Sequence, residues 1–281
     1  MSGPVTYGVW PFASTVTVGD NTGGGSTGGA TPVISPGAAT FAQTASDDLD
    51  DGTPAGKARA EAYVKEQIAN GTFKQSDIDK GNNVVPREID NRPPPNITGT
   101  TVDCTAIHQG FNLGTKITPI TTLKQFIYDY PAIPNHKYSS VPAQLGLASD
   151  QIVCNLAHLC LNVWEPVKAK YPNVIMTNSL RTGSAIGAGP HGTGQGMDIQ
   201  FNTSKGISIA PADYFAIASW IKENIAYDQL ILEYSTARGY TIAWIHCSIY
   251  AGTGKRVSPT NKVLTMMNHQ VRAVGLANLA N

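Results

Sequence analysis

Lysine and arginine are missing from the first 55 residues of this 281-residue chain, and charge is sparse throughout. Charged side chains make up 14% of the sequence, against roughly 25% in ordinary soluble domains. The 20 acids balance the 20 bases, so no long-range field draws the chain to nucleic acid or to an anionic membrane, and neither is expected as a partner. The basic segment that opens a secretory signal is absent, as is any apolar run long enough to span a bilayer. Synthesis in a host cytoplasm without a signal peptide is the expectation. Cysteine is scarce too: Cys104, Cys154, Cys160 and Cys247 share no CxxC spacing, and they read as reduced, buried thiols. No internal repeat is present.

What remains divides the chain into three. Residues 1–56 are dominated by Gly, Ser, Thr, Ala and Pro, including NTGGGSTGGATP, and read as a flexible or extended arm that cannot form a core. Residues 57–102 read as a short helix, KARAEAYVKEQIAN, stopped by Asn70 and Gly71, then a turn capped by Ser76 and a proline-rich connector. Residues 103–281 read as the compact domain. There Ile152, Leu156, Leu159, Cys160, Val163 and Val167 recur at helical spacing, disturbed near Pro166. Residues 174–176 read as a buried strand, and Pro211 opens a second helix with Tyr214, Ile217, Ala218, Ile221 and Ile225 on one face. LILEY and AWIHCSIY read as strands. The order predicts an α+β fold, a small antiparallel sheet with helices packed on one side.

The chemistry concentrates in PHGTGQGMDIQF and AWIHCSIY. His191 and Asp198 stand in the first and His246 in the second, and two imidazoles with one carboxylate are a ligand set that leaves a divalent ion one solvent-facing position. Alternation turns Met197, Ile199 and Phe201 one way and Asp198 and Gln200 the other. Glycines at 192, 194 and 196 allow the backbone to fold His191 back beside the carboxylate. Trp244, His246, Ser248 and Tyr250 share one face of the later strand. Nitrogen with carboxylate oxygen suits zinc.

At these residues the chain resembles the zinc D-Ala-D-Ala carboxypeptidase and L-alanyl-D-glutamate endopeptidase family, whose pattern is HxxGxAxD followed by a strand ending WxH. The pattern here is His191, Gly194, Gly196 and Asp198, then Trp244 and His246, within a resemblance running over roughly residues 152–249. Arg181 takes the place of an arginine that family members carry upstream; it would hold a substrate carboxylate or polarise the scissile carbonyl, or else order the glycine loop. Two departures stand out: Gly189 where many relatives have serine, and Ala243 where several have an acid. The second leaves the general base to be found elsewhere.

Glu233 is the candidate base. A tight turn at residues 235–238 would set it opposite Ile242, whereas a wide loop would set it directly across from His246, and the resemblance favours the wide loop. Asp228 is a candidate to orient His246, and Tyr234, Tyr240, Trp244 and Tyr250 to line a groove. His108, His136, His158 and His269 read as ordinary surface or core residues. The resemblance implies a zinc peptidase cutting an amide bond that involves a D-amino acid in peptidoglycan. With the long arm, it implies a bacteriophage tail-tip or baseplate protein located in the virion, held to hub proteins through residues 1–100. The rival readings are a structural virion protein without turnover and a free endolysin.

Overall fold

The computed structural model describes residues 53–126, 148–180, 189–236, 241–252 and 261–280. Helix α1 (Pro54–Ala69) starts where Thr53 Oγ1 accepts the Gly56 N–H at 3.0 Å, and it ends at Asn70 and Gly71 as its sequence predicts. In α2 (Gln75–Asn82), Ser76 lies inside the first turn and Lys74 holds the cap position instead. The two-residue strand β1 (Ile89–Asp90) and short helices α3 (Thr105–His108) and α4 (Leu123–Phe126) lead to α5 (Ser149–Leu159). The disturbance expected near Pro166 is a π-helical stretch, Cys160–Trp164, joining α5 to α6 (Glu165–Lys170). Pro166 has no N–H to donate and its ring crowds the carbonyl four residues back, so the ladder widens ahead of it. Strands β2 (Val174–Asn178) and β3 (Gly196–Phe201) precede a 3₁₀ turn at Pro211–Asp213 and α7 (Tyr214–Asn224). Strands β4 (Gln229–Ser235), β5 (Ile242–Ser248), β6 (Lys262–Met267), β7 (Gln270–Val274) and β8 (Leu276–Ala277) complete the order.

The fold is α+β, with a six-stranded sheet in the order β2-β3-β5-β4-β6-β7 and a separate antiparallel pair of β1 with β8. Strands β2, β3, β5 and β4 pair antiparallel, as expected, but β4 and β6 run parallel, so the larger sheet is mixed. Strand β5 ends with Ser248 opposite Gln229, and β6 begins with Lys262 opposite the same residue. The chain therefore enters β6 beside the start of β4, which makes the two parallel.

Alternation splits the sheet into two faces. Met197, Ile199, Leu230, Leu232 and Ile245 join Ile152, Leu156 and Leu159 of α5 and Ile217, Ala218 and Ile221 of α7 in the main core. Each such side chain contributes about 1.5–3 kcal/mol when fully buried. The other face carries a smaller apolar cluster, Ile231, Leu264 and Met266. Asp198 and His246 belong to that second face.

The expected connector is joined to the domain at several points. Strand β1 pairs with β8, Thr236 Oγ1 donates to the Asp77 carbonyl at 2.7 Å, and Asn162 bonds both backbone groups of Thr100. A correction concerns the cysteines. Cys104, at the start of α3, and Cys154, on α5, form a disulfide, while Cys160 and Cys247 are free and buried as expected. The pairing depends on α3 packing against α5, which no local spacing announces.

Candidate metal centre

The loop before β3 is folded by its own backbone. Gln195 N–H donates to the Pro190 carbonyl at 2.8 Å and Gly194 N–H to the His191 carbonyl at 3.3 Å, which turns His191 back toward the strand. Gly194 has φ +72°, and a Cβ there would stand 2.8 Å from the Ile152 carbonyl oxygen of α5. At Gly196 a Cβ would meet Pro190 at 2.7 Å and the His246 ring at 3.0 Å. Both glycines are thus required by the close approach of loop, helix and imidazole. Asn155 of α5 braces the loop by donating from Nδ2 to the Thr193 carbonyl at 2.8 Å.

Asp198 of β3 is directly opposite His246 of β5, so both side chains leave the same face of the sheet. His246 Nδ1 lies 3.1 Å from Asp198 Oδ1, and His191 Nε2 lies 3.4 Å from the same oxygen. His191 Nδ1 is 2.6 Å from the Ser179 carbonyl oxygen. A carbonyl only accepts, so Nδ1 carries the proton, and in the neutral ring Nε2, which faces Asp198, is the nitrogen left to bind a metal. Among the described residues, His191, Asp198 and His246 form one group that can hold a metal ion, with one ligand atom from each and all three atoms within 4.8 Å of one another.

The surroundings differ from expectation in one respect. His191 is 1% exposed and Asp198 and His246 are 0% exposed, so the centre is buried and does not face solvent as predicted. Cys247 follows His246 in the chain but points to the opposite face, opposite Met197. Burial first, and then the Asp198 charge, push its thiol above the ordinary range, so it remains protonated and is no rival ligand.

Glu233 is opposite Trp244, between the two positions considered from sequence, because β4 and β5 extend to Ser235 and Ile242. Ile231 takes the place opposite His246, and Glu233 follows it two residues later on the same face, itself 1% exposed. Such diagonal neighbours have Cα atoms about 7–8 Å apart, within reach of a long side chain. Arg181 lies outside the described residues, as do His136 and Tyr240. Asp228 accepts the Tyr250 backbone N–H at 2.6 Å beyond the end of β5. Tyr234 belongs to the main core and so leaves the proposed groove. His108 pairs with Asp150 at 2.5 Å, His158 is buried on α5, and His269 packs on Tyr63 and Phe73.

Two positioning groups were missed by sequence reasoning. The Ser179 carbonyl is a backbone group and leaves no sequence signal. Asn155 left one: it interrupts the apolar stripe of α5, standing between Ile152 and Leu159 at helical spacing. No protein-family model, curated protein or solved structure matches this chain.

Proposed function

We propose that this chain is a zinc-dependent hydrolase of amide bonds, acting on a bond that involves a D-amino acid in peptidoglycan. The observation that carries the reading is the convergence of His191 Nε2, Asp198 Oδ1 and His246 Nδ1. Zinc with four tetrahedral ligands at about 2.0–2.1 Å requires neighbouring donor atoms about 3.3 Å apart. The separations of 3.1 and 3.4 Å fit that requirement. The Ser179 carbonyl on His191 Nδ1 supplies the outer partner that a metal-binding imidazole ordinarily has.

When bound, the ion supplies acidification of a water molecule and polarisation of a carbonyl. The chain's own residues supply the rest. Asp198 and the two imidazoles fix the donor positions, and Glu233 receives the proton released when water attacks the amide carbon. After attack, the same carboxyl returns the proton to the departing nitrogen. The buried setting excludes bulk water and strengthens these polar interactions.

The choice of peptidoglycan rests on the resemblance at His191, Asp198, Trp244 and His246. The Cys104–Cys154 disulfide supports action outside a reducing cytoplasm, where such bonds persist. A phage tail-tip or baseplate setting rests on the composition of the N-terminal arm; because α1, Phe73 and residues 77–102 contact the domain, the attachment to hub proteins is assigned to the residues before α1. A second reading has one observation in its favour: the buried centre suits a structural ion in a virion protein without turnover. The test is zinc content by metal analysis, together with release of peptide fragments from purified peptidoglycan by the wild type and by His246→Ala. Zinc binding with fragment release, both abolished by the substitution, is the expected result. Zinc without fragments favours the structural reading, and no zinc sinks both.

A further inference from the structure

Strand β2 is irregular where it passes the metal centre. Val174, Ile175 and Met176 stand opposite Phe201, Gln200 and Ile199 of β3, but the next paired residue is Asn178, opposite Asp198. Thr177 is therefore an extra residue, a β-bulge. Its hydroxyl donates to the Asp198 backbone carbonyl at 3.2 Å. Two residues later, the Ser179 carbonyl accepts from His191 Nδ1 at 2.6 Å. Residues 177–179 thus hold the backbone of one candidate ligand and the ring of another.

Backbone parity shows what each contact does. In an antiparallel sheet a residue turns its N–H and C=O to the same side, and the next residue turns them to the other. On β3 the Asp198 carbonyl faces β2, as does the N–H of Asn202, which donates to the Asn173 carbonyl at 3.1 Å. Gln195, of opposite parity, turns its carbonyl to Ile249 beyond the end of β5. On β5, Ser248 turns its carbonyl to Asp228 on the β4 side, and His246 shares its parity. Asp198 and His246 are therefore a non-hydrogen-bonded pair, with Cα atoms about 4.5 Å apart instead of about 5.5 Å. That closeness brings both side chains within reach of one ion. The bulge acts on His191 by the same rule. In an unbroken β2, Ser179 would share the parity of Asn173, whose carbonyl faces β3. One extra residue reverses the parity and releases the Ser179 carbonyl to the loop that carries His191.

We propose that the bulge in β2 positions the metal centre, with Thr177 as its positioning residue. The Thr177 hydroxyl ties the Asp198 backbone to β2 and keeps in place the extra residue that turns the Ser179 carbonyl to His191. This role rests on the metal-centre reading and is independent of turnover.

The test pairs Thr177→Val, which replaces the hydroxyl by a methyl group of the same shape, with Thr177→Ser, which restores it. Zinc affinity of the full chain is measured by competition with a chromogenic chelator, and the thermal midpoint on the metal-free protein. Thr177→Val should bind zinc about tenfold more weakly, within the usual effect of losing a partner of a metal ligand, and Thr177→Ser should match the wild type. An unchanged Kd in Thr177→Val overturns the role, whether or not its metal-free midpoint falls. An equal loss in both variants overturns it too, because the hydroxyl is then not the group that matters. A second readout needs no metal. The Nδ1–H resonance of His191 in chelator-treated protein, identified by its loss in His191→Ala, should exchange with solvent faster in Thr177→Val than in the wild type and Thr177→Ser. If the wild type binds no zinc, the metal-centre reading fails, and the exchange rates still decide whether Thr177 positions His191: equal rates overturn that role as well. Thr177→Ala carries the same comparisons if the valine variant does not fold.

Discussion

In the proposed hydrolase, Glu233 is the side chain that separates metal binding from chemistry. It is no ligand by position, since Ile231 occupies the place opposite His246, yet it is the nearest carboxylate along β4 on the metal-bearing face. Glu233→Gln retains the shape and removes the basicity. Zinc content should therefore stay at the wild-type level while turnover on purified peptidoglycan falls about 10²- to 10⁴-fold, the usual contribution of a general base. Metal analysis and a turnover assay on one preparation check both halves. Full activity in the variant would exclude Glu233 and direct attention to a proton acceptor outside the described residues.

At the scale of elements, the pairing of β1 with β8 is secured by charge as well as by backbone. Asp90 of β1 receives Lys222 Nζ of α7 at 2.8 Å and Arg92 at 2.9 Å, and Lys222 is 0% exposed. The hydrogen bond from Arg92, and then Lys222, hold the Asp90 carboxyl well below the usual carboxylate range against the opposing effect of burial. A depressed folded pKa means that the stabilisation is present above the unfolded value of about 3.9 and is lost as pH falls toward the folded value. Asp90→Asn leaves the Lys222 ammonium buried without its charge partner, a loss of about 3–5 kcal/mol at pH 7. Urea midpoints at pH 7 and pH 3 should show the wild type losing more stability on acidification than the variant. Equal midpoints at pH 7 would mean that the pair contributes no more than a surface contact.

Across the whole molecule, legibility followed the range of the interaction. Donor types and strand alternation placed His191, Asp198 and His246 together because each strand announces its own faces, and the metal-bearing strands were antiparallel as expected. The row of Glu233 depended on how far β4 and β5 run before residues 236–241, which local pattern does not specify. The disulfide joins residues 50 positions apart, and β6 to β8 are held by partners from distant parts of the chain. The sequence marked Trp244 as an aromatic, whereas its unpartnered N–H is a property of packing. The same long range makes metal binding a property of the whole fold. A loop before β3, β3 itself and the central strand β5 each supply one candidate ligand, so an unfolded chain holds no assembled site. Zinc should bind the native state alone and stabilise it by about 4 kcal/mol at a thousandfold excess over Kd. For a folded unit of roughly 200 residues that raises Tm by about 10 °C. Calorimetry with zinc and then with excess chelator should show the gain and its reversal, while Asp198→Ala should show neither. Equal gains in both proteins would place the ion elsewhere, because no assembled site lacking its carboxylate should retain the same affinity.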